Sequence, residues 1–289
     1  MSISNWFETF NNNLRMSTDT VDKISYRYKR ITKQLNKDFW NTDSDTAHSL
    51  YVGSYGRGTE IFTSDIDVIM QLPYDTYVQY NNHANNGQSA LLQAVKTSIE
   101  KTYKSYMKAD GQVIKIDFDD DIDLEIVPGF LTNDNSYKFP DSNNGGSWRL
   151  TDPRREIAEL ISGDNDSNKN LRKLCRMARA WKETWNVPIG GLLIDTLAYN
   201  FMKNYQYKSK SYTYFDWISR DFFEYLKNQS ETQQYWSAVG SGQQVHTKGN
   251  FQYKALRCYN ISLEAIEKEK YETTAKSKWR EIYGTKFPS

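Results

Sequence analysis

Two aspartates, Asp65 and Asp67, stand one residue apart inside the apolar stretch "DIDVIMQL". The alternation of polar and apolar residues is the period of a half-buried strand, so both carboxylates point to the same face. Two ionised carboxylates that close repel each other and raise each other's pKa unless a cation lies between them. Oxygen ligands with open positions left over suit Mg²⁺ or Mn²⁺, which proteins hold with one or two carboxylates and substrate phosphates.

A glycine-rich turn, "GSYGRGT", precedes this strand, and ten residues lie between Ser54 and Asp65. Gly53, Gly56 and Gly58 allow the backbone to approach a ligand closely, and Ser54 adds a hydroxyl donor. A solvent-facing edge strand after a glycine turn is the structural alternative, because an Asp-x-Asp pair alone is common. The turn and the pair together favour a site for phosphate and metal.

The segment "GQVIKIDFDDDIDLEIVPGF" (residues 111–130) predicts a hairpin with an acidic turn. On its second strand, residues 122–127, Asp123 and Glu125 point to the same face as Asp121. The structural alternative is a charged face of an edge hairpin, and that alternative applies most strongly to Asp121.

The motifs "GSYGRGT" and "SDIDV" resemble the signature of the nucleotidyltransferase superfamily related to DNA polymerase beta. Within it, the chain most resembles the bacterial cGAS/DncV-like nucleotidyltransferases, the cyclic-oligonucleotide synthases of anti-phage signalling. In that family a third acidic residue usually stands three residues before a proline on a later strand. The matching residue is Glu125, before Pro128, where many relatives have aspartate, and Asp123 is the alternative ligand.

The resemblance implies phosphoryl transfer between nucleoside triphosphates (ATP, GTP or pyrimidine NTPs). Two Mg²⁺ or Mn²⁺ ions, about 4 Å apart, would be held by Asp65, Asp67 and Glu125. Gly53 and Ser54 would grip the phosphates. Repeated transfer would give a cyclic di- or trinucleotide that acts on a separate effector protein. The alternatives are transfer to a macromolecule, as in RNA-tailing or toxin-type AMP-transfer relatives, and a catalytically inactive nucleotide-binding sensor, against which the three acids argue.

A second basic stretch, "NLRKLCRMARAWKETW" (residues 170–185), has the spacing of an amphipathic helix. Arg172, Arg176 and Arg179 form one stripe of it, and a row of guanidinium groups beside a cleft would bind triphosphate oxygens. The family has a basic residue, often lysine, two positions before an aromatic one on this helix. That resemblance implies nucleotide binding by Arg179, with Lys182 as a weaker candidate. A solvated basic face is the structural alternative.

The remaining pattern predicts an α+β fold, with a helix over residues 18–40 and another that begins at Ser89. The resemblance implies a polymerase-beta-like catalytic core of mixed sheet and helices, residues 1–150. A helical C-terminal lobe, residues 151–289, would close the nucleotide cleft. Helices of the lobe are predicted at about 153–163, 168–186, 190–205, 214–229 and 259–283, with a polar loop at 239–252.

Composition and charge limit the classes of partner and compartment that are expected. The chain has 289 residues, a net charge of +1 and two cysteines. It lacks the basic surplus that a dedicated nucleic-acid binder usually shows, so a long nucleic-acid partner is not obligatory. It has no signal-peptide pattern and no run of about 18 apolar residues. We therefore expect a cytoplasmic, monomeric protein without a membrane partner.

Overall fold

The computed structural model describes residues 2–61 and 65–289. Met1 and residues 62–64 lie outside the described residues, and Ser64 of the second motif is one of them. Two compact units make up the chain. The helical unit comprises Met1–Arg15, Arg57–Phe62 and Arg155–Ser289, and the sheet unit comprises Met16–Gly56 and Thr63–Arg154.

The strands of the sheet unit form one mixed sheet. They are β1 (Ser49–Tyr51), β2 (Asp65–Gln71), β3 (Met107–Asp110), β4 (Val113–Ile116), β5 (Asp123–Leu131), β6 (Tyr137–Asp141) and β7 (Ser147–Thr151). The order is β1-β2-β5-β4-β3, with β6 paired to β5 and β7 paired to β6. β2 and β5 are parallel, whereas β1 with β2 and β4 with β5 are antiparallel. The predicted strand and hairpin are therefore adjacent parts of one sheet.

Helices make up most of the other regular structure of the two units. In chain order they are α1 (Ile3–Asn13), α2 (Thr18–Leu35), α3 (Gly53–Arg57), α4 (Tyr74–Asn81), α5 (Gly87–Ile99), α6 (Pro153–Asp166), α7 (Asn170–Thr184), α8 (Gly191–Lys203), α9 (Phe215–Lys227), α10 (Gln252–Glu267) and α11 (Glu272–Tyr283). A π-helical turn, Asn36–Trp40, continues α2. Of the residues that the structure describes, none belongs to a helix long and apolar enough to cross a membrane.

The core of the sheet unit explains why the aspartates face outward. Ile66 and Val68 of β2 are buried against Leu124 and Ile126 of β5, and helix α5 covers the same core with residues such as Leu92. The opposite face of β2 carries Asp65, Asp67 and Gln71, together with Ile69, which is buried in a small second cluster. The alternation around the two aspartates therefore reflects a strand segment with one covered face.

The predicted α+β fold with a helical lobe is confirmed, but three local predictions are wrong. The predicted helix 259–283 is two helices, because the segment 268–271 between α10 and α11 has three charged residues in a row and its one aromatic side chain, Tyr271, is exposed. The polar loop at 239–252 contains β9 (Gln244–His246), which pairs with β8 (Tyr235–Ser237). Helix α5 is capped by Asn86, whose side chain accepts a hydrogen bond from the Ser89 amide, so Ser89 lies inside the first turn.

Candidate functional site

The parallel pairing of β2 with β5 places the predicted acids side by side. Asp65 is opposite Asp123, and Asp67 is opposite Glu125, on the side of the sheet away from the buried core. Asp65 is exposed, and the other three residues are partly buried. Two strands that are more than fifty residues apart in the sequence therefore present four carboxylates on one small patch.

Burial and like charge act together on Glu125. Burial raises the pKa of this carboxyl, and the negative charges of Asp67 and Asp65 raise it further. A carboxylate with a raised pKa among other carboxylates gains most from a nearby cation, because the cation removes the repulsion. The electrostatics of Glu125 therefore favour cation binding at this patch.

Lys115 of β4 supplies one positive charge to the patch. Its Nζ lies 3.1 Å from Asp123 Oδ2 and 3.5 Å from Asp65 Oδ1. The hydrogen bond to Asp123 raises the pKa of Lys115, and Asp65 adds to that effect. Asp123 also accepts a hydrogen bond from the Phe118 amide at 3.3 Å. Asp123 thus has two donors of its own.

The glycine turn approaches Asp67 closely. The Val52 amide donates to the Asp67 carbonyl at 2.9 Å, and helix α3 begins at the next residue, Gly53. A Cβ atom on Gly53 would lie 1.8 Å from Asp67 Oδ2, and the φ of Gly53 is +59°. A larger residue at this position would be strained by the positive φ and would displace the Asp67 side chain, and the adjacent Ser54 lies in the first turn of α3.

Gly53→Ala is expected to lower nucleotidyl transfer at least about tenfold, because the added methyl group displaces the Asp67 carboxylate. Gly145→Ala is the matched control, since Gly145 also has a positive φ of +89° but has no atom within 4 Å of the added Cβ. Turnover of labelled NTP by the two purified variants measures the difference. Equal turnover would show that the close approach of Gly53 to Asp67 has no role in activity.

The donor set fits divalent cations of the Mg²⁺ type. Asp65, Asp67 and Glu125 offer only oxygen atoms, which Mg²⁺ and Mn²⁺ prefer. Across residues 2–61 and 65–289, no three His, Cys, Asp or Glu side chains are already arranged to hold a metal ion. The fit consequently depends on the chemistry and register of the acids.

In the helical unit, Arg179 is fully engaged by a buried carboxylate. Its two terminal nitrogens donate to Asp195 Oδ1 at 2.6 Å and Oδ2 at 2.9 Å, and further to the Gly191 and Cys175 carbonyls. Asp195 is 0% exposed and also accepts from Arg57 Nε at 2.8 Å. A phosphate contact by Arg179 would replace at least one of these bonds, so phosphate binding by Arg179 stays a prediction.

Lys182 has a different environment on the same helix. It is half-buried, and its pKa is lowered by burial and then by the positive charges of Lys248 and Arg179. Glu183 opposes this effect only weakly. Two lysine ammonium groups that repel each other would both be stabilised by a bound anion. Lys182 therefore keeps its predicted place among the candidate phosphate ligands, and Lys248 joins it.

The three arginines of the predicted stripe do not share one binding partner. Arg179 points to Asp195, whereas Arg176 donates to the Gly58 carbonyl at 2.7 Å and to the Glu60 carbonyl at 3.2 Å. Arg172 packs against Gly58. Residues of one helical stripe therefore have two kinds of partner: Arg179 belongs to a buried ion pair, whereas Arg176 and Arg172 contact the segment 58–60.

Sequence reasoning missed three charged residues of these sites. Lys115 neutralises part of the acidic patch, and Asp195 and Arg57 form the buried network with Arg179. Arg57 belongs to the motif "GSYGRGT", and this position was the sequence feature that could have indicated a role for it. The partners of Arg57 and Lys115 could not be identified from spacing, because they come from distant elements.

Comparison with known proteins agrees with this architecture. The mixed sheet with its helical partner unit has the fold of the cGAS/DncV-like nucleotidyltransferases. The model of the Second Messenger Oligonucleotide or Dinucleotide Synthetase (SMODS) domain matches residues 1–164, which is more than half of the chain. The chain belongs to this family. It is a nucleotidyltransferase of the type that makes cyclic oligonucleotides.

Solved structures of the same fold come from several bacteria. CdnC of Escherichia coli MS115-1, in complex with HORMA-deltaN, matches with a TM-score of 0.72 and 14% identity over 99% of this chain and 98% of that chain. CdnG of Bradyrhizobium diazoefficiens, in complex with GTP, matches with a TM-score of 0.70 and 8% identity over 97% and 94%. The Vibrio cholerae DncV cyclic AMP-GMP synthase, in complex with a linear intermediate, matches with a TM-score of 0.64 and 14% identity over 99% and 87%. None of the curated proteins matches the sequence.

Proposed function

We propose that this protein joins nucleoside triphosphates into a cyclic di- or trinucleotide second messenger by metal-assisted phosphoryl transfer. The observation that supports this most directly is the register of β2 and β5, which pairs Asp65 with Asp123 and Asp67 with Glu125. A bacterial anti-phage system would be its setting, and the product would act on a separate effector protein. This setting is suggested by the family to which the chain belongs.

Asp65, Asp67 and Glu125 would hold the divalent cations, two Mg²⁺ or Mn²⁺ ions. Cations bound there would lower the pKa of the attacking ribose hydroxyl and stabilise the charge on the leaving pyrophosphate. Lys115 donates a hydrogen bond to Asp123, whereas the pKa of Glu125 stays raised by burial, Asp67 and Asp65 although Lys115 lies opposite it on β4 and lowers that pKa. We therefore assign Glu125, and not Asp123, as the third ligand.

The chain's own donors would bind and orient the triphosphate. Ser54 offers its hydroxyl from the first turn of α3, directly after Gly53, and backbone amides of the turn add further donors. Within the helical unit, Lys182 stays a proposed phosphate ligand, because an anion would relieve its repulsion with Lys248. Arg179, if it does bind phosphate, would do so at the expense of its pairing with Asp195.

Glu125→Gln is expected to be at least about tenfold less active than Asp123→Asn, although both changes remove one charge. The reason is that Asp123 is hydrogen-bonded to Lys115, whereas Glu125 faces Asp67 on β2 and keeps a raised pKa even with Lys115 opposite it on β4. Initial rates at saturating Mg²⁺ and NTP, with circular dichroism as the folding control, provide the comparison. The reverse order of activities would transfer the ligand role to Asp123.

The function is tested by mass spectrometry of products from all four NTPs, supplied without any macromolecular acceptor. Formation of a cyclic oligonucleotide with Mg²⁺ or Mn²⁺, and its loss with EDTA, is the expected result. Pyrophosphate release only after addition of RNA or of an acceptor protein would favour transfer to a macromolecule. Nucleotide binding without any product would favour the inactive sensor.

A further inference from the structure

A group of cations surrounds a separate cavity of about 310 Å³ that lies wholly within the helical unit. Five basic side chains line it, accompanied by one carboxylate: Arg15, Lys169, Arg172, Lys173, Arg176 and Asp164. The residues proposed above for metal and nucleotide binding are not in its lining. The function proposed above therefore does not account for this cavity.

Two of the basic residues that line the cavity, Arg172 and Lys169, share a single acidic partner. Arg172 Nε is buried and has no hydrogen-bond partner in the described part of the chain. The Asp164 Oδ2 atom lies 4.0 Å from Arg172 Nε and also 4.0 Å from Lys169 Nζ, so one carboxylate oxygen is shared by two cations. A buried guanidinium N–H without an acceptor is costly, and an added acceptor would remove that cost.

Lys173 is held by neutral groups. Its Nζ donates to Asn170 Oδ1 at 3.1 Å and lies 4.6 Å from the centre of the Tyr212 ring. Burial lowers the pKa of Lys173; Asp164 and Glu8 oppose the effect, and Arg176 adds to it. The ammonium group is thus retained in a half-buried position where no carboxylate hydrogen-bonds to it among the residues described.

The charges around the cavity do not balance. Asp164 and Glu8 are the acidic groups that act on Lys173, and Glu60 acts on Arg176, in a cavity lined by five basic side chains. Burial lowers the pKa of Arg176, and although Glu60 opposes this, Arg15 and Arg172 lower the pKa further. Repulsion of this kind favours binding of a multivalent anion.

We propose that this pocket binds the phosphate groups of a small oligophosphate, either a nucleoside polyphosphate or free pyrophosphate or tripolyphosphate. Guanidinium groups suit phosphate oxygens, and Arg172 Nε is a donor without a partner, whereas Arg176 already donates to the Gly58 and Glu60 carbonyls and would add mainly its charge. The volume is at the lower end of small-molecule sites. A concave pocket with partly buried cations differs from the extended basic stripe that follows a nucleic-acid backbone.

Calorimetric titration of the full-length protein with inorganic tripolyphosphate, in EDTA, tests the proposal. Arg15→Gln and Lys173→Gln are each expected to weaken binding about tenfold, the usual effect of losing one charge-assisted contact. Arg15 is exposed, so its variant does not depend on the packing of the core. Arg257→Gln removes the same charge from another exposed position and should leave the affinity unchanged. Parallel titrations with ATP compare the two sources of phosphate.

Comparison with Ser54→Ala distinguishes this pocket from the proposed nucleotide site. If tripolyphosphate binding fell in Ser54→Ala and stayed constant in Arg15→Gln and Lys173→Gln, the proposal would be overturned. It would also be overturned if the two pocket variants weakened binding of duplex RNA or DNA but not of tripolyphosphate. No metal and no turnover are needed, so the result is independent of whether the protein makes a cyclic nucleotide.

Discussion

Asp67→Asn is expected to reduce nucleotide product formation by at least about a hundredfold while leaving the protein folded. Asp67 is partly buried on the polar face of β2, opposite Glu125, and outside the apolar core. Loss of its charge would remove an oxygen ligand from the proposed cation site, and even residues that only support a metal ligand typically cost tenfold to a hundredfold. Mass-spectrometric quantification of product at saturating Mg²⁺ measures the effect.

Asp119→Asn is the matched control for this prediction, because it removes one aspartate charge from an exposed position in the turn before β5. Its activity should stay within a factor of two of the unmodified protein, since exposed substitutions away from special features have little effect on stability. Retention of more than a tenth of the turnover by Asp67→Asn, with an unchanged circular dichroism spectrum, would refute the proposed cation site. A parallel drop in both variants would indicate a general electrostatic effect.

Local features of the sheet unit could be predicted from the sequence. The alternation around Asp65 and Asp67 is a property of one strand with one buried face, and it gave the orientation of both side chains. The hairpin of β4 and β5 could be predicted for the same reason, since its strands are close in the sequence. The parallel register of β2 with β5 is a non-local property, so the resemblance and not the pattern indicated Glu125.

The helical unit shows why the rest could not be predicted. A helical wheel places Arg172, Arg176 and Arg179 on one stripe, but it contains no information about what each guanidinium meets. Asp195 lies 16 residues from Arg179 on the next helix, and Arg57 lies 138 residues from Asp195. From the sequence, charged residues on a helix indicate a solvated face or a ligand-binding face. Whether such a residue instead belongs to a buried ion pair depends on tertiary packing.

Asp195→Asn is expected to lower the free energy of unfolding of the helical unit by about 3–5 kcal/mol, the usual cost of removing one partner from a buried ion pair. Asp195 is 0% exposed and accepts hydrogen bonds from Arg179, Arg57 and Thr59. Burial alone would raise the pKa of this carboxyl, but the guanidinium groups of Arg179 and Arg57 outweigh burial and hold the pKa below its usual range. The variant would remove the carboxylate that pairs with Arg179, while Arg57 would keep its ion pair with Glu156.

Urea unfolding at pH 7, followed by tryptophan fluorescence, measures this loss, since Trp181 and Trp279 are buried in the same unit. Asp166→Asn removes an exposed ion pair with Lys208 and should change stability by no more than about 0.5 kcal/mol. Because the pKa of Asp195 is lowered on folding, its contribution should be complete above about pH 4 and decrease as the pH falls through the lowered pKa. A difference between the unmodified protein and Asp195→Asn below about 1 kcal/mol at pH 7, or one that disappears already near pH 6, would show that the network contributes little to the stability of the helical unit.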